Sequence, residues 1–119
     1  METINGCTLI RSGREPEPVE FGPAEIGDAY RALVGRIPAG RPAPPVHRHP
    51  HTDEAFHVAD GECTFQLGDR EVVATGGDFV FVPRGTTHTA WNSGERELVG
   101  LIVISPGGAE HVFELVAPA

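Results

Sequence analysis

Gly77-Asp78-Phe79-Val80-Phe81-Val82-Pro83-Arg84-Gly85-Thr86-Thr87-His88, with Asn92 four residues further on, is the stretch that decides the fold of this chain. Phe79 to Val82 and His88 to Asn92 are runs of aromatic, β-branched and small residues on either side of a Pro83-Arg84-Gly85 break. Such runs, bounded by Gly and Pro, read as short strands rather than helices. Gly77, Pro83, Gly85, His88 and Asn92 also form a fixed spacing, one that matches by chance at about one start in a million when each residue has a usage of a few per cent.

The same punctuation extends in both directions. Val46 to His49, Glu54 to Ala59, Cys63 to Leu67, Glu71 to Thr75 and Leu98 to Ile104 are further β-type runs, separated by Asp60-Gly61, Gly68-Asp69, Gly76-Gly77 and Asn92-Ser93-Gly94. Asp-Gly and Gly-Asp favour the primed turns that join antiparallel strands, and many short strands at this spacing predict an all-β sandwich or barrel. Upstream the pattern is looser. Cys7 to Arg11 reads as a strand, Glu15-Pro16-Glu17-Pro18 as a loop, and Ala29 to Ile37 as a strand interrupted at Gly35. Arg41-Pro42-Ala43-Pro44-Pro45 supports neither a helix interior nor a central strand, so it is extended loop or edge. Ala109, Val112, Phe113 and Val116 recur at i, i+3, i+4 and i+7. That period predicts a short amphipathic helix over about 108–116, packed against the outside or one mouth of the β structure.

With no internal repeat and no linker, 1–119 reads as one domain, long enough to bury a core without disulfide or metal staples. The net charge of −8, with no lysine and arginines scattered singly, argues against a nucleic-acid partner. No apolar run approaches the roughly 18 residues that span a bilayer. The start, Met1-Glu2-Thr3-Ile4-Asn5, lacks the basic and apolar regions of a secretory signal. Cys7 and Cys63 fall in no metal-ligand spacing and are expected as free thiols. A soluble cytoplasmic protein is the expectation.

The chemistry lies in the histidines. In a strand, side chains alternate faces, so His47 and His49 point the same way. Glu54 has the wrong parity for one unbroken strand with them, but a turn through Pro50-His51-Thr52-Asp53 returns it on a partner strand. His88 arrives from the second stretch, and a closed or strongly curved sheet brings it opposite the others. Three imidazoles and a carboxylate hold a divalent metal and leave coordination positions free.

Gly40, His47, His49, Glu54 and Gly61, followed by Gly77, Pro83, Gly85, His88 and Asn92, resemble the two motifs of the cupin superfamily. The second fits at every position. The first departs by one residue, with six between Gly40 and His47 where the family has five. The resemblance covers about Tyr30 to Ile104. It implies a double-stranded β-helix barrel of jelly-roll topology holding one metal, with His47, His49, Glu54 and His88 as the ligands. Imidazole and carboxylate without thiolate suit Fe, Mn, Co, Ni, Cu or Zn and do not choose among them. A catalytic zinc with three protein ligands, Glu54 swung away, stays open.

His51 belongs to the solvent-facing turn by the cupin spacing, His57 to the outer face, and His111 to the polar side of the tail helix. Arg36 and Arg84 are candidate anion anchors, or exposed charges. Phe56, Phe65, Ala90 and Leu101 are the expected substrate-pocket wall. Small cupins that resemble this one often carry a bulky aromatic where Ala90 stands, so Ala90 leaves room beside the metal unless a neighbour fills it. Cys63 is expected to act as a small apolar residue.

Small cupins with this ligand set resemble quercetin-dioxygenase-like proteins. That resemblance implies a metal-dependent oxygenase of a small aromatic or enol-type molecule, with Glu54 doubling as the base. Two other classes stay open: a redox-silent metal-dependent isomerase, lyase or cyclase, and a non-catalytic module that binds or senses a small ligand or metal. A homodimer is expected, from the resemblance and from an N-terminal strand free to pair with a partner's sheet edge.

Overall fold

The computed structural model describes residues 1–11, 13 and 18–116; Glu15, Pro16 and Glu17 of the expected acidic loop lie outside that range. The chain runs β1 (Glu2–Ile4), β2 (Cys7–Leu9), β3 (Val19–Phe21), α1 (Pro23–Ile26), β4 (Arg31–Ile37), β5 (His47–Arg48), β6 (Asp53–Asp60), β7 (Glu62–Leu67), β8 (Arg70–Thr75), β9 (Phe79–Val82), β10 (His88–Asn92), β11 (Leu98–Ser105) and β12 (Glu114–Leu115). Two five-stranded antiparallel sheets face each other, one ordered β12-β5-β10-β7-β8 and the other β3-β4-β11-β6-β9. From β4 to β7, and again from β8 to β12, consecutive strands alternate between the sheets, as a double-stranded β-helix requires, with β7 and β8 paired in one sheet. β1 and β2 pair with each other in a separate hairpin, so β2 spends its ladder within the chain.

Register decides which side chains meet inside. Across the second sheet, Leu33, Ile102, Phe56 and Val80 form one inward row, and Arg31, Ile104, Glu54 and Val82 the next. Across the first, Ala90 lies opposite Phe65, Asn92 opposite Cys63, and His88 between His47 and Leu67. The apolar core is Val58, Cys63, Phe65, Ala74 and Leu98, with Phe65 fully buried. Phe65 and Phe56 join the two sheets edge to face, centroids 5.2 Å apart, an arrangement worth about 0.5–1.5 kcal/mol beyond its area.

Two features differ from the sequence-based expectation. β4 runs unbroken through Gly35, which pairs with Gly100 of β11. The expected C-terminal helix is a single turn, Val112 N–H to Ala109 O at 3.1 Å, leading into β12. β12 completes the open edge of β5 through Glu114–Arg48 and Leu115–His47 pairing. Edge hydrogen bonds on a strand that has only one other neighbour outweigh the weak helical preference of so short a segment. Among the described residues, no helix is long and apolar enough to cross a membrane.

Gly61 shows why the β6–β7 turn demands glycine. Its φ is +95°, and an added Cβ would lie 2.8 Å from the Glu97 carbonyl oxygen, so both backbone conformation and space exclude a side chain.

Candidate metal centre

β5, the turn after it, β6 and β10 deliver four ligand-type side chains to one end of the sandwich. His47 and His88 are directly paired across β5 and β10, and their rings lie 4.6 Å apart. His49 sits 5.0 Å from His47 and 5.8 Å from His88, centroid to centroid. One nitrogen from each of the three rings falls within 4.8 Å of the others. Glu54 enters from β6 in the facing sheet, with Oε1 2.9 Å from His49 Nε2 and Oε2 3.5 Å from His88 Nε2. The His88 and Glu54 side chains are nearly buried, 4% and 9% exposed, and His49 is 11% exposed.

Backbone carbonyls set the imidazole tautomers. His47 Nδ1 donates to Pro45 O at 2.8 Å, and His88 Nδ1 donates to Thr86 O at 2.9 Å. Each Nε2 is then a lone-pair donor, the form a metal requires, with the other nitrogen fixed by an outer partner. Two ligand atoms at neighbouring positions on a first-row metal, with bonds of about 2.0–2.2 Å, lie roughly 3 Å apart. The Glu54 separations match that spacing. His49 Nδ1 is buried without a hydrogen-bond partner. The four residues therefore fit a divalent transition metal, and the absence of thiolate leaves its identity within the nitrogen- and oxygen-binding group.

The turn that the sequence marked as decisive ties the cluster together. Gly85, at φ +81°, donates its N–H to His49 O at 2.8 Å. Arg84 donates its backbone N–H to Asp53 Oδ1 at 2.8 Å and its guanidinium to Asp53 Oδ2 at 3.0 Å, beside Glu54. Arg84 is thus a positioning residue for the β6 ligand and is not a free anion anchor. Its guanidinium holds the Asp53 carboxyl below the usual range. Arg36 is likewise paired, with Glu97 at 2.9 Å. Asn92 sits at the far end of β10, donating to Ile37 O at 2.8 Å and Arg96 O at 2.9 Å. It braces the fold and does not reach the metal end.

Charge and burial compete at the imidazoles. Burial pushes His88 down, but hydrogen bonds to Glu54 and Thr86 outweigh it and raise its pKa above the ordinary histidine value. At His47 burial wins over the Pro45 hydrogen bond, helped by the neighbouring imidazoles, and its pKa falls.

A cavity of about 280 Å³ opens beside the cluster, lined by Pro44, Pro45, His47, His49, Glu110, Phe113 and Leu115. Phe113 stands 6.1 Å from both the His47 and His49 rings. Glu110 is held at 2.6 Å by Arg31, which also pairs with Glu20. Burial alone would raise the Glu110 carboxyl, but its own N–H, Arg31 and the Gly108 N–H bring it below the usual range. Arg48 pairs with Glu114 at 2.7 Å and fastens the other end of the same segment.

None of Phe56, Phe65, Ala90 and Leu101 lines this cavity. Phe65 is core, with Phe56 and Ala90 packed against it, and Phe65 stands directly across from Ala90. Leu101 lies opposite His57 and Val34 on the outer face, while Ile102 shares the inner face with Phe56. Leu98 to Ile104 is apolar on both faces, so alternation carries no phase there. His51, His57 and His111 are exposed. Cys63 is buried and Cys7 exposed, both free, and burial pushes the Cys63 thiol up to about 11. The residues that sequence reasoning missed, Phe113 and Leu115, come from the segment misread as helix. Pro44 and Pro45 reach the cavity because Thr89 Oγ1 holds Pro44 O at 2.7 Å.

A family model for the cupin domain matches residues 33–105. This chain is a cupin. Among solved structures, this cupin is similar to an uncharacterized conserved protein with a double-stranded β-helix domain from Klebsiella pneumoniae, at 24% identity and TM-score 0.68 over 92% of this chain and 91% of that one. It is also similar to the DMSP lyase DddQ of Ruegeria pomeroyi, at 30% identity and TM-score 0.61 over 76% of this chain but 45% of that one. An oxalate decarboxylase from Lactobacillus farciminis aligns at 18% identity and TM-score 0.67, over 87% of this chain and 32% of that one. No curated protein matches the chain.

Proposed function

We propose that this cupin is a metal-dependent enzyme for a small, largely apolar molecule with an acidic O–H or C–H, in its sharpest form an oxygenase of an aromatic or enol compound. One observation carries the reading. His47 and His49 of the cluster line a cavity whose other walls include Pro44, Pro45, Phe113 and Leu115, with Glu54 2.9 Å from His49 and 3.5 Å from His88 in the same cluster. A divalent metal held by those four residues supplies stabilisation of a substrate oxyanion and, where the ion is redox-active, a route to dioxygen chemistry.

The chain's own residues supply the rest. Pro44, Pro45, Phe113 and Leu115 take up the apolar part of the substrate and exclude water from the reacting end. Glu54, the carboxylate within the cluster, takes the substrate proton onto a carboxylate oxygen, a contribution of about 10²–10⁴-fold for a positioned base. His47 and His88, pinned through Nδ1 by backbone carbonyls, keep the cluster geometry fixed while that proton moves. Glu110 is held at the rim by Arg31, which it shares with Glu20, so its carboxylate is only partly offset there.

A second reading, a redox-silent lyase or isomerase, uses the same base and the same pocket. The lyase and decarboxylase among the similar structures favour it. Untagged protein, assayed for bound metal and then for turnover with Fe(II), Mn(II) and Ni(II) against flavonols, catechols and diketones, separates the readings. Metal-dependent oxygen uptake supports the oxygenase, and turnover that persists without oxygen supports the lyase or isomerase. Bound metal with no turnover across the panel leaves a binding module and overturns the enzyme. Metal bound no more tightly by wild type than by His49→Ala overturns the site itself.

A further inference from the structure

Nearly every buried polar group in a folded protein has a hydrogen-bond partner, and an orphan marks a place where the fold serves something besides its own stability. Among the described residues, two buried side-chain polar atoms lack a partner: His49 Nδ1 and Thr52 Oγ1. They belong to one turn. Pro50 and His51 form it, which holds the residues at its ends, His49 and Thr52, within about 7 Å at Cα. Thr52 is 2% exposed and ranks with Phe65 as a fully buried side chain. The turn is clamped on both sides, by Gly85 N–H on His49 O at 2.8 Å and by Arg84 N–H on Asp53 Oδ1 at 2.8 Å. Those clamps keep the hydroxyl inside.

The three imidazoles differ in what each must do to receive a metal. His47 and His88 already carry a proton on Nδ1, donated to Pro45 O and Thr86 O, and present a bare Nε2. His49 is arranged the other way. Its Nε2 lies 2.9 Å from Glu54 Oε1, an acceptor, so Nε2 carries the proton and Nδ1 the lone pair. A metal at the cluster needs the Nε2 lone pair. His49 alone must therefore change tautomer, losing the Nε2–H bond and gaining an Nδ1–H bond. The ring is neutral before and after, and the proton passes through solvent. The new N–H lies in a buried position, where it needs an acceptor.

We propose that Thr52 is the positioning residue for His49. In the metal-loaded protein its hydroxyl accepts the hydrogen bond from Nδ1–H and holds the ring with Nε2 toward the ion. This rests on the four-ligand metal centre proposed above. A hydroxyl suits the task because its oxygen accepts while its own hydrogen turns freely. Rotation about χ1 exchanges the hydroxyl and methyl groups of Thr52, which are nearly equal in size, so the oxygen turns toward Nδ1 at little steric cost. The metal-free fold carries two unpaired atoms until the ion arrives.

The test compares Thr52→Val, which keeps the shape and deletes the hydroxyl, with Thr52→Ser, which keeps the hydroxyl. Zn(II) affinity of the full chain is read by chelator competition, metal-free stability by urea unfolding, and the His49 tautomer by NMR of the ring nitrogens. Thr52→Val should bind Zn(II) about 10–100-fold more weakly, as loss of an outer partner does, with Thr52→Ser within about threefold of wild type. The urea midpoint of metal-free Thr52→Val should stay level or rise, because an unpaired buried hydroxyl is gone. A merely structural role predicts the opposite, a lower midpoint. In wild type the His49 proton should move from Nε2 to Nδ1 as Zn(II) binds. Wild-type affinity in Thr52→Val overturns the proposal. So does equal weakening in both variants, or a His49 proton on Nδ1 before any metal is added. Wild type that takes up no metal overturns the metal centre as well, a result distinct from one confined to Thr52.

Discussion

At one end of the sandwich interior Val58, Cys63, Phe65, Ala74 and Leu98 close an apolar core, whereas at the other β5, the turn after it, β6 and β10 present His47, His49, Glu54 and His88. Single strands carry both. β6 passes from Glu54 to Phe56 to Val58 in steps of two, and β10 from His88 to Ala90 to Asn92. Alternation fixes only the face; position along the strand decides whether that face meets a ligand or a neighbour. Burial dominates at the apolar end, where it drives the Cys63 thiol up to about 11 against a weaker opposing hydrogen bond with the Trp91 backbone. At the metal end burial is opposed by hydrogen bonds from Pro45, Thr86 and Glu54, and the two imidazoles split, His88 upward and His47 downward. One end is held mainly by apolar packing, with Asn92 hydrogen-bonded to the Ile37 and Arg96 carbonyls. The other gathers three imidazoles and a carboxylate in an arrangement that could hold a cation, with His49 Nδ1 left without a hydrogen-bond partner.

The sharpest way to break this contrast is Phe65→Ala. Removal of a fully buried ring that bridges the sheets should cost about 3–5 kcal/mol in urea unfolding, with metal stoichiometry unchanged in the folded fraction. If metal is lost before stability is, the two ends are not separate. His88→Ala is the reciprocal test. Affinity for Mn(II), Ni(II) or Zn(II) by calorimetric titration should fall at least ~100-fold, more than loss of an outer-shell partner costs, and metal-free stability should fall less than in Phe65→Ala.

Acidification should separate the two imidazoles by NMR in the metal-free protein, His88 titrating above and His47 below the ordinary value of 6.5. The signs oppose. The His88 contribution to stability is full below pH 6.5 and is lost as pH rises through its raised folded value. The His47 contribution is present above 6.5 and is lost as pH falls through its lowered value. Metal binding needs both neutral, so metal affinity should begin to drop while pH is still above 6.5. The smallest effect is kinetic: a thiol reagent at about pH 8 should modify exposed Cys7 quickly and Cys63 only on unfolding, because the reactive thiolate is suppressed by burial. Equal rates would show that the apolar end opens.

Much of this was legible in the chain. Phe79–Val82 and His88–Asn92 are strands with the expected bounds, because Gly and Pro punctuate them on both sides. The same punctuation located Gly85, whose N–H holds the His49 carbonyl. Ala109 to Val116 was legible only as a helix, since its helical period is real but its hydrogen-bond partner, β5, lies at least 66 residues away in sequence. That pairing brings Phe113 over the histidines. Leu101 was unreadable for a different reason: β11 is apolar on both faces, and a bulge between Val99 and Gly100 shifts its register against β6.

Local chemistry thus determined which residues turn the chain and which can ligate a metal, since glycine, proline, histidine and glutamate carry those properties wherever they stand. Only the tertiary structure decided that His47, His49, Glu54 and His88 converge, and that Phe113 walls the cavity beside His47 and His49. Each of those depends on register between strands distant in the sequence, and register is set by the packing of the whole sandwich.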